Sequence, residues 1–97
     1  MKLRFTPRAV ENIIVIADHI RERNPAAAER VRAAIYESLQ DLMLFPHAGR
    51  PQQTPGVRKF ITRKYAYLVY YAVDDAAGEI IVLNVKHPAK RREHEDA

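Results

Sequence analysis

The stretch YAYLVYYAVDDAAGEIIVLNV, residues 65–85, decides the fold. Its two arms, Tyr65 to Val73 and Ile80 to Val85, are dense in aromatic and β-branched residues, the types that suit a pleated, packed surface. Between them, Asp74-Asp75-Ala76-Ala77-Gly78 supplies the polar and glycine chemistry of a turn, so the segment reads as a β-hairpin. Both arms are apolar on both faces, as expected of strands covered on two sides. Upstream, Val57 to Thr62 reads as another strand, reached through a loop, His47 to Gly56, rich in proline and glycine.

Working toward the N-terminus, the period changes from strand to helix. Ala28, Val31, Ile35, Leu39 and Leu42 recur at helical spacing behind Asn24-Pro25, a capping residue followed by a proline suited to the first helical position. Pro46 and Gly49 stop that helix. Thr6-Pro7 repeats the start signal for an earlier helix, which carries Ala9, Ile13, Ile16, Ala17 and Ile20 inward, with Val10 and Ile14 widening the stripe, and ends near Arg23. Phe5 and Val10 stand where a hydrophobic staple places them. So short a link folds the two helices back as an antiparallel hairpin. Lys2 to Phe5 alternates polar and apolar as a short strand. The expected order is β-α-α-β-β-β, an α+β fold with an antiparallel sheet packed on an N-terminal helical hairpin. Residues 1–97 make one domain, ending in a charged tail over about 88–97.

The chain has no cysteine and a formal net charge of +4. Disulfides and thiolate metal sites are therefore excluded. Met1-Lys2-Leu3-Arg4-Phe5 has no signal-peptide apolar run and no stretch suits a membrane span, so a cytoplasmic location is expected. The cations concentrate late. Arg58, Lys59, Arg63, Lys64, Lys86, Lys90, Arg91 and Arg92 face only Asp74, Asp75 and Glu79 between residues 58 and 92. Such a patch attracts nucleic acid or an acidic polypeptide, or it is simply a solvated surface. A sheet apolar on both faces leaves room for a partner segment, which can also add a strand at an open edge; a symmetric dimer covers the same face equally well.

Phosphate loops, nucleophile elbows and paired-carboxylate sites are missing from the sequence. His19, His47 and His94 have no second ligand at useful spacing, so neither metal nor cofactor is expected. Glu22, Glu29 and Glu37 alternate with arginines as solvated helix pairs. Tyr65, Tyr67, Tyr70 and Tyr71 suit base stacking, but at strand spacing they suit core and cross-strand pairs better. Arg58, opening a strand after a glycine turn, fits a fold-fixing contact as well as target binding. His87 fits either a proton-transfer group with cationic neighbours or an ordinary strand-ending histidine.

In their order, Thr6-Pro7-x-Ala9, Asn24-Pro25-x-Ala27-Ala28, Phe45-Pro46-x-x-Gly49-Arg50, Gly56-x-Arg58, Tyr67-x-x-x-Tyr71-x-Val73 and Val85-x-His87 resemble the ParE/RelE superfamily of type II toxins, the ParE branch in particular. The resemblance spans nearly the whole chain. It implies a toxin wrapped by a cognate antitoxin in a hetero-oligomer, associated with plasmid stabilisation, with DNA gyrase as the ParE target and DNA reached only through the antitoxin. The expected target-binding residues are Arg58, Lys59, Arg63, Lys64, Lys90, Arg91 and Arg92. Tyr67, Val69, Tyr71 and Arg63 are expected to meet the antitoxin. Two rivals stand beside this reading: a ribosome-dependent mRNA endonuclease of the RelE type using His87, Lys59 and Lys86, and a non-toxic corepressor. Where RelE-type nucleases place an arginine early in the central strand, this sequence has Leu68, and Phe60-Ile61-Thr62 interrupts the cations before it.

Overall fold

The computed structural model describes residues 1–88, so the cations expected at Lys90, Arg91 and Arg92 lie outside the described residues. The elements run β1 (Lys2–Phe5), α1 (Pro7–Arg21), α2 (Pro25–Leu44), β2 (Arg50–Pro51), β3 (Arg58–Ile61), β4 (Leu68–Asp74) and β5 (Glu79–Lys86). Both expected caps form. The Thr6 hydroxyl accepts from the Ala9 amide and the Asn24 side chain from the Ala27 amide, each at 3.1 Å. Phe5, expected as a staple on Val10, meets the Tyr36 ring of α2 edge-on at 5.7 Å.

The strands form one sheet in the order β1-β5-β4-β3-β2. β3, β4 and β5 make the expected antiparallel meander, and β2 adds a two-residue rung within the expected loop. The sheet is mixed, however, because β1 runs parallel to β5. After the helical hairpin the chain crosses to the far edge and returns through three alternating strands, so its last strand arrives beside the first pointing the same way. Hydrophobic period reports which face a residue occupies and carries no strand direction, so this pairing was not readable from it.

The core lies between one sheet face and the two helices. Tyr67, Val69, Tyr71, Ile80, Val82 and Val85 meet Ala9, Ile13, Val31, Ile35, Leu39 and Leu42 there. Fully burying each large side chain contributes roughly 1.5–3 kcal/mol. Buried Ala17, Ala28 and Ala34 keep bulk low on the helices. Tyr65 and Ala66, expected as strand, instead have φ of 66° and 53° and turn the chain into β4. Thr62 secures that turn: its hydroxyl donates to the Lys64 carbonyl at 2.7 Å and accepts from the Tyr67 amide at 2.9 Å.

Candidate partner-binding site

β1 is half the length of β5, and its pairing ends at Phe5 opposite Val82. The rest of that β5 edge would leave backbone groups unpaired, and buried backbone groups demand partners. The first turns of α1 supply them. The Thr6 hydroxyl donates to the Leu83 carbonyl at 3.1 Å, and Asn12 Oδ1 accepts from the Val85 amide at 2.9 Å. These bonds hold α1 beside the end of β5 with a groove of about 820 Å³ between them. Val15, Ile16, Ile20 and Val85 give it apolar walls, and Arg8, His19, Lys86 and His87 line it without a single carboxylate. The sequence reading missed this groove. Its signal is the spacing Arg8, Asn12, Val15 and His19 along one flank of α1, which means little until β5 is known to end beside it.

The expected site residues separate into different roles. Tyr67, Val69 and Tyr71 are buried beneath the helices, so their side chains offer a partner no surface. Arg58 fixes the fold: its Nη1 donates to the carbonyls of Gly49 at 2.7 Å and His47 at 3.1 Å. The same loop is held by Tyr71, whose hydroxyl donates to the Pro46 carbonyl at 2.7 Å and accepts from the Gly49 amide at 2.9 Å. Gly49 is required by this close approach, since a Cβ there would sit 2.7 Å from the Tyr71 ring and hydroxyl. Burial pushes the Tyr71 phenol above its ordinary value, against smaller opposing effects of the Gly49 amide and Arg58. Tyr67 is raised by burial and then by Tyr65.

Arg63 pairs with Asp41 of α2, and its amide donates to the Ser38 hydroxyl at 3.3 Å. Lys64 is exposed in the adjoining turn. Lys59 lies directly across from Tyr70, and the Lys86 ammonium sits 5.2 Å from the centre of that ring. Strand alternation puts Lys59, Tyr70 and Lys86 together on the outer sheet face. His87 follows Lys86 with its ring edge-on to the buried Tyr67 at 5.4 Å, and both residues line the groove. Of the three residues expected of a nuclease, Lys86 and His87 thus share the groove, and Lys59 is not among its lining residues. Leu68, on the outer face between Ile61 and Lys86, is 1 % exposed. Among the described residues no cluster of carboxylates and histidines is suited to a metal ion, and no helix is long and apolar enough to cross a membrane.

A family model described as the ParE toxin of the type II toxin–antitoxin system parDE matches residues 3–92. The chain belongs to the ParE toxin family. "Putative toxin Y4kP" of Sinorhizobium fredii is 28 % identical over 86 residues, covering 89 % of this chain and 86 % of that protein. Among solved structures, a chain of the chromosomal ParDE toxin–antitoxin system of P. aeruginosa is 27 % identical with a TM-score of 0.77, covering 90 % of this chain and 95 % of its own. A chain of the RelBE2 toxin–antitoxin complex of Mycobacterium tuberculosis is 26 % identical at a TM-score of 0.63, covering 89 % of this chain and 95 % of its own. The intact E. coli RelBE complex matches at 20 % identity and a TM-score of 0.61, over 89 % and 94 %, a likeness of fold alone. This ParE-family chain is therefore a type II toxin of the ParE/RelE superfamily.

Proposed function

We propose that this toxin acts in the cytoplasm by inhibiting DNA gyrase, without itself being a catalyst, and that a cognate antitoxin neutralises it. The antitoxin lays an amphipathic, acidic segment into the groove between α1 and the end of β5. That groove joins apolar walls to cations with no carboxylate among its lining residues, which is the complement of such a segment. The toxin–antitoxin complexes among the similar structures support a partner of this kind. DNA is reached only through the antitoxin.

The observation that carries the gyrase reading is that the nuclease candidates do not converge as a set: Lys86 and His87 line the groove, and Lys59 lies apart from it, across from Tyr70. Cleaving RNA at a 2′-hydroxyl needs a proton-transfer group and cations converging on one phosphate. Here His87 packs on Tyr67, Lys59 and Lys86 flank Tyr70 on the outer face, and the buried Leu68 brings neither charge nor proton. One observation favours the second reading, a ribosome-dependent endonuclease: an aromatic ring between two lysines is a fair platform for a single-stranded nucleic acid.

The deciding experiment incubates purified toxin with gyrase and plasmid DNA and scores linear product and loss of supercoiling. Accumulated cleaved DNA is the expected result. An unaffected gyrase together with message cut on ribosomes overturns the proposal.

A further inference from the structure

The outer face of the sheet, away from the helices, carries a row of cations that the groove alone does not explain. Arg50, Lys59, Tyr70 and Asn84 stand directly across from one another on β2, β3, β4 and β5, so their side chains share that face. Lys86, two residues beyond Asn84, joins them with its ammonium over the Tyr70 ring. Arg50 and Lys59 are like charges at opposed positions, an arrangement that costs stability until an anion answers it. The sheet offers none nearby. Among the strand residues the only carboxylates are Asp74 and Glu79, at the hairpin end, and Glu79 already pairs with Arg4. Asp74 lies four residues along β4 from Tyr70, about 13 Å at the rise of a strand and outside a screening length of about 10 Å.

Asn84 and Lys86 also line the groove beside α1, so groove and row meet along the β5 edge. The row suits an acidic polypeptide better than a nucleic acid. The Lys86 ammonium already takes a face of the Tyr70 ring on which a base would stack. Ile61, Ala72 and Ile81, all at least partly exposed on the same face, offer apolar contacts to alternate side chains of an extended segment.

We infer that Arg50, Lys59 and Lys86 receive an acidic segment of the toxin's target protein, and that the antitoxin closes this contact through Lys86, the cation that row and groove share. The inference rests on the proposed reading of a protein target and of an antitoxin in the groove. Lys86 carries its charge on a flexible four-carbon stem, so a carboxylate in the groove draws the ammonium off Tyr70 and takes it from the row. Binding at either surface then weakens binding at the other by the same factor.

The test scores Arg50→Glu, Lys59→Glu and Lys86→Gln for growth arrest in cells without antitoxin, and for antitoxin affinity by titration calorimetry. Far-UV circular dichroism checks each fold, and Arg8→Glu reports on the groove by itself. Arg50→Glu and Lys59→Glu are expected to raise survival at least about tenfold and to leave the antitoxin Kd within about twofold. Lys86→Gln should raise survival and Kd together, each at least about tenfold, and Lys86→Arg, which keeps the charge, should restore both. Lys86→Gln moving only one readout overturns the shared cation, and a Kd loss confined to Arg8→Glu does so while sparing the groove. No Kd loss in either variant removes the groove reading and this inference with it. Full growth arrest by both Arg50→Glu and Lys59→Glu overturns the target contact. So does a labelled single-stranded RNA that the unmodified toxin binds and Lys59→Glu does not, a result that assigns the face to nucleic acid.

Discussion

Removing one oxygen, by Tyr71→Phe, should destabilise the toxin out of proportion to the size of the change. The phenol ring is buried in the core and stays in place, so no apolar contact and almost no volume is lost. What disappears is the hydroxyl that donates to the Pro46 carbonyl and accepts from the Gly49 amide. Two neutral hydrogen bonds are worth about 1 kcal/mol each, and the stranded Gly49 amide adds about 1–2 kcal/mol of unmet desolvation, which brings the expected loss to roughly 2–4 kcal/mol. The Arg58 bonds to Gly49 and His47 keep the loop near its position, so relaxation cannot recover much of it. Urea denaturation followed by circular dichroism reads this as a lower midpoint at unchanged slope. The variant should also respond differently to alkali. Burial raises the folded-state pKa of Tyr71 above 10.0, so the unfolded chain deprotonates first. Its stabilising contribution is complete below pH 10.0 and is lost as pH rises through the folded value. Tyr71→Phe removes that portion of the alkaline loss. A midpoint shift worth under about 1 kcal/mol would refute the two-sided clamp, because it would mean that neither partner depends on the hydroxyl.

The groove and the basic strip give two further tests. Arg8→Glu with Val15→Asp changes exposed positions on the groove flank and should weaken antitoxin binding by about tenfold or more (about 1.4 kcal/mol), measured by titration calorimetry, while thermal stability holds. Full affinity in that double variant would remove the groove from the antitoxin site. Arg63→Glu with Lys64→Glu should weaken growth arrest at normal expression while changing stability by no more than about 1 kcal/mol, since the Arg63–Asp41 pair is exposed on both sides, at 74 % and 46 %. Undiminished toxicity would move the target contact off this strip.

Local signals carried the framework of the fold. Thr6-Pro7 and Asn24-Pro25 announce caps that form, and the apolar stripes behind them are the faces that pack. The hairpin at residues 74–78 was legible because Asp74 and Gly78 are turn residues between β-rich arms; the Asp74 carboxylate accepts from the Ala77 amide at 3.1 Å. The start of β4 was not, because Tyr65 and Ala66 have the composition of strand while their backbone is left-handed, in a turn held by the Thr62 hydroxyl through Lys64 and Tyr67. Parallel pairing of β1 was invisible for the reason that face and direction are independent. The candidate site was the least legible part. Tyr67, Val69 and Tyr71 carry the chemistry of an interface and the spacing of a core, and in strands packed under helices the spacing decides. The groove depends on where β1 stops relative to β5, a difference in length that only the register reveals.

A cation's meaning for binding depends on what already holds it. Arg58 stood out in the sequence as a basic residue at a strand opening, yet its guanidinium is spent on two backbone carbonyls. Arg4 meets Glu79 at 3.3 Å, Arg21 and Arg32 are balanced by Asp18 and Glu29, and Arg63 meets Asp41. Each of these pairs is neutral to an approaching molecule beyond a screening length of about 10 Å at moderate salt. The field of a +4 chain is therefore set less by where its cations cluster in the sequence than by where carboxylates are missing in space. The groove between α1 and β5 meets that condition among its lining residues, and the Val10–Ile14 face on the opposite flank fails it.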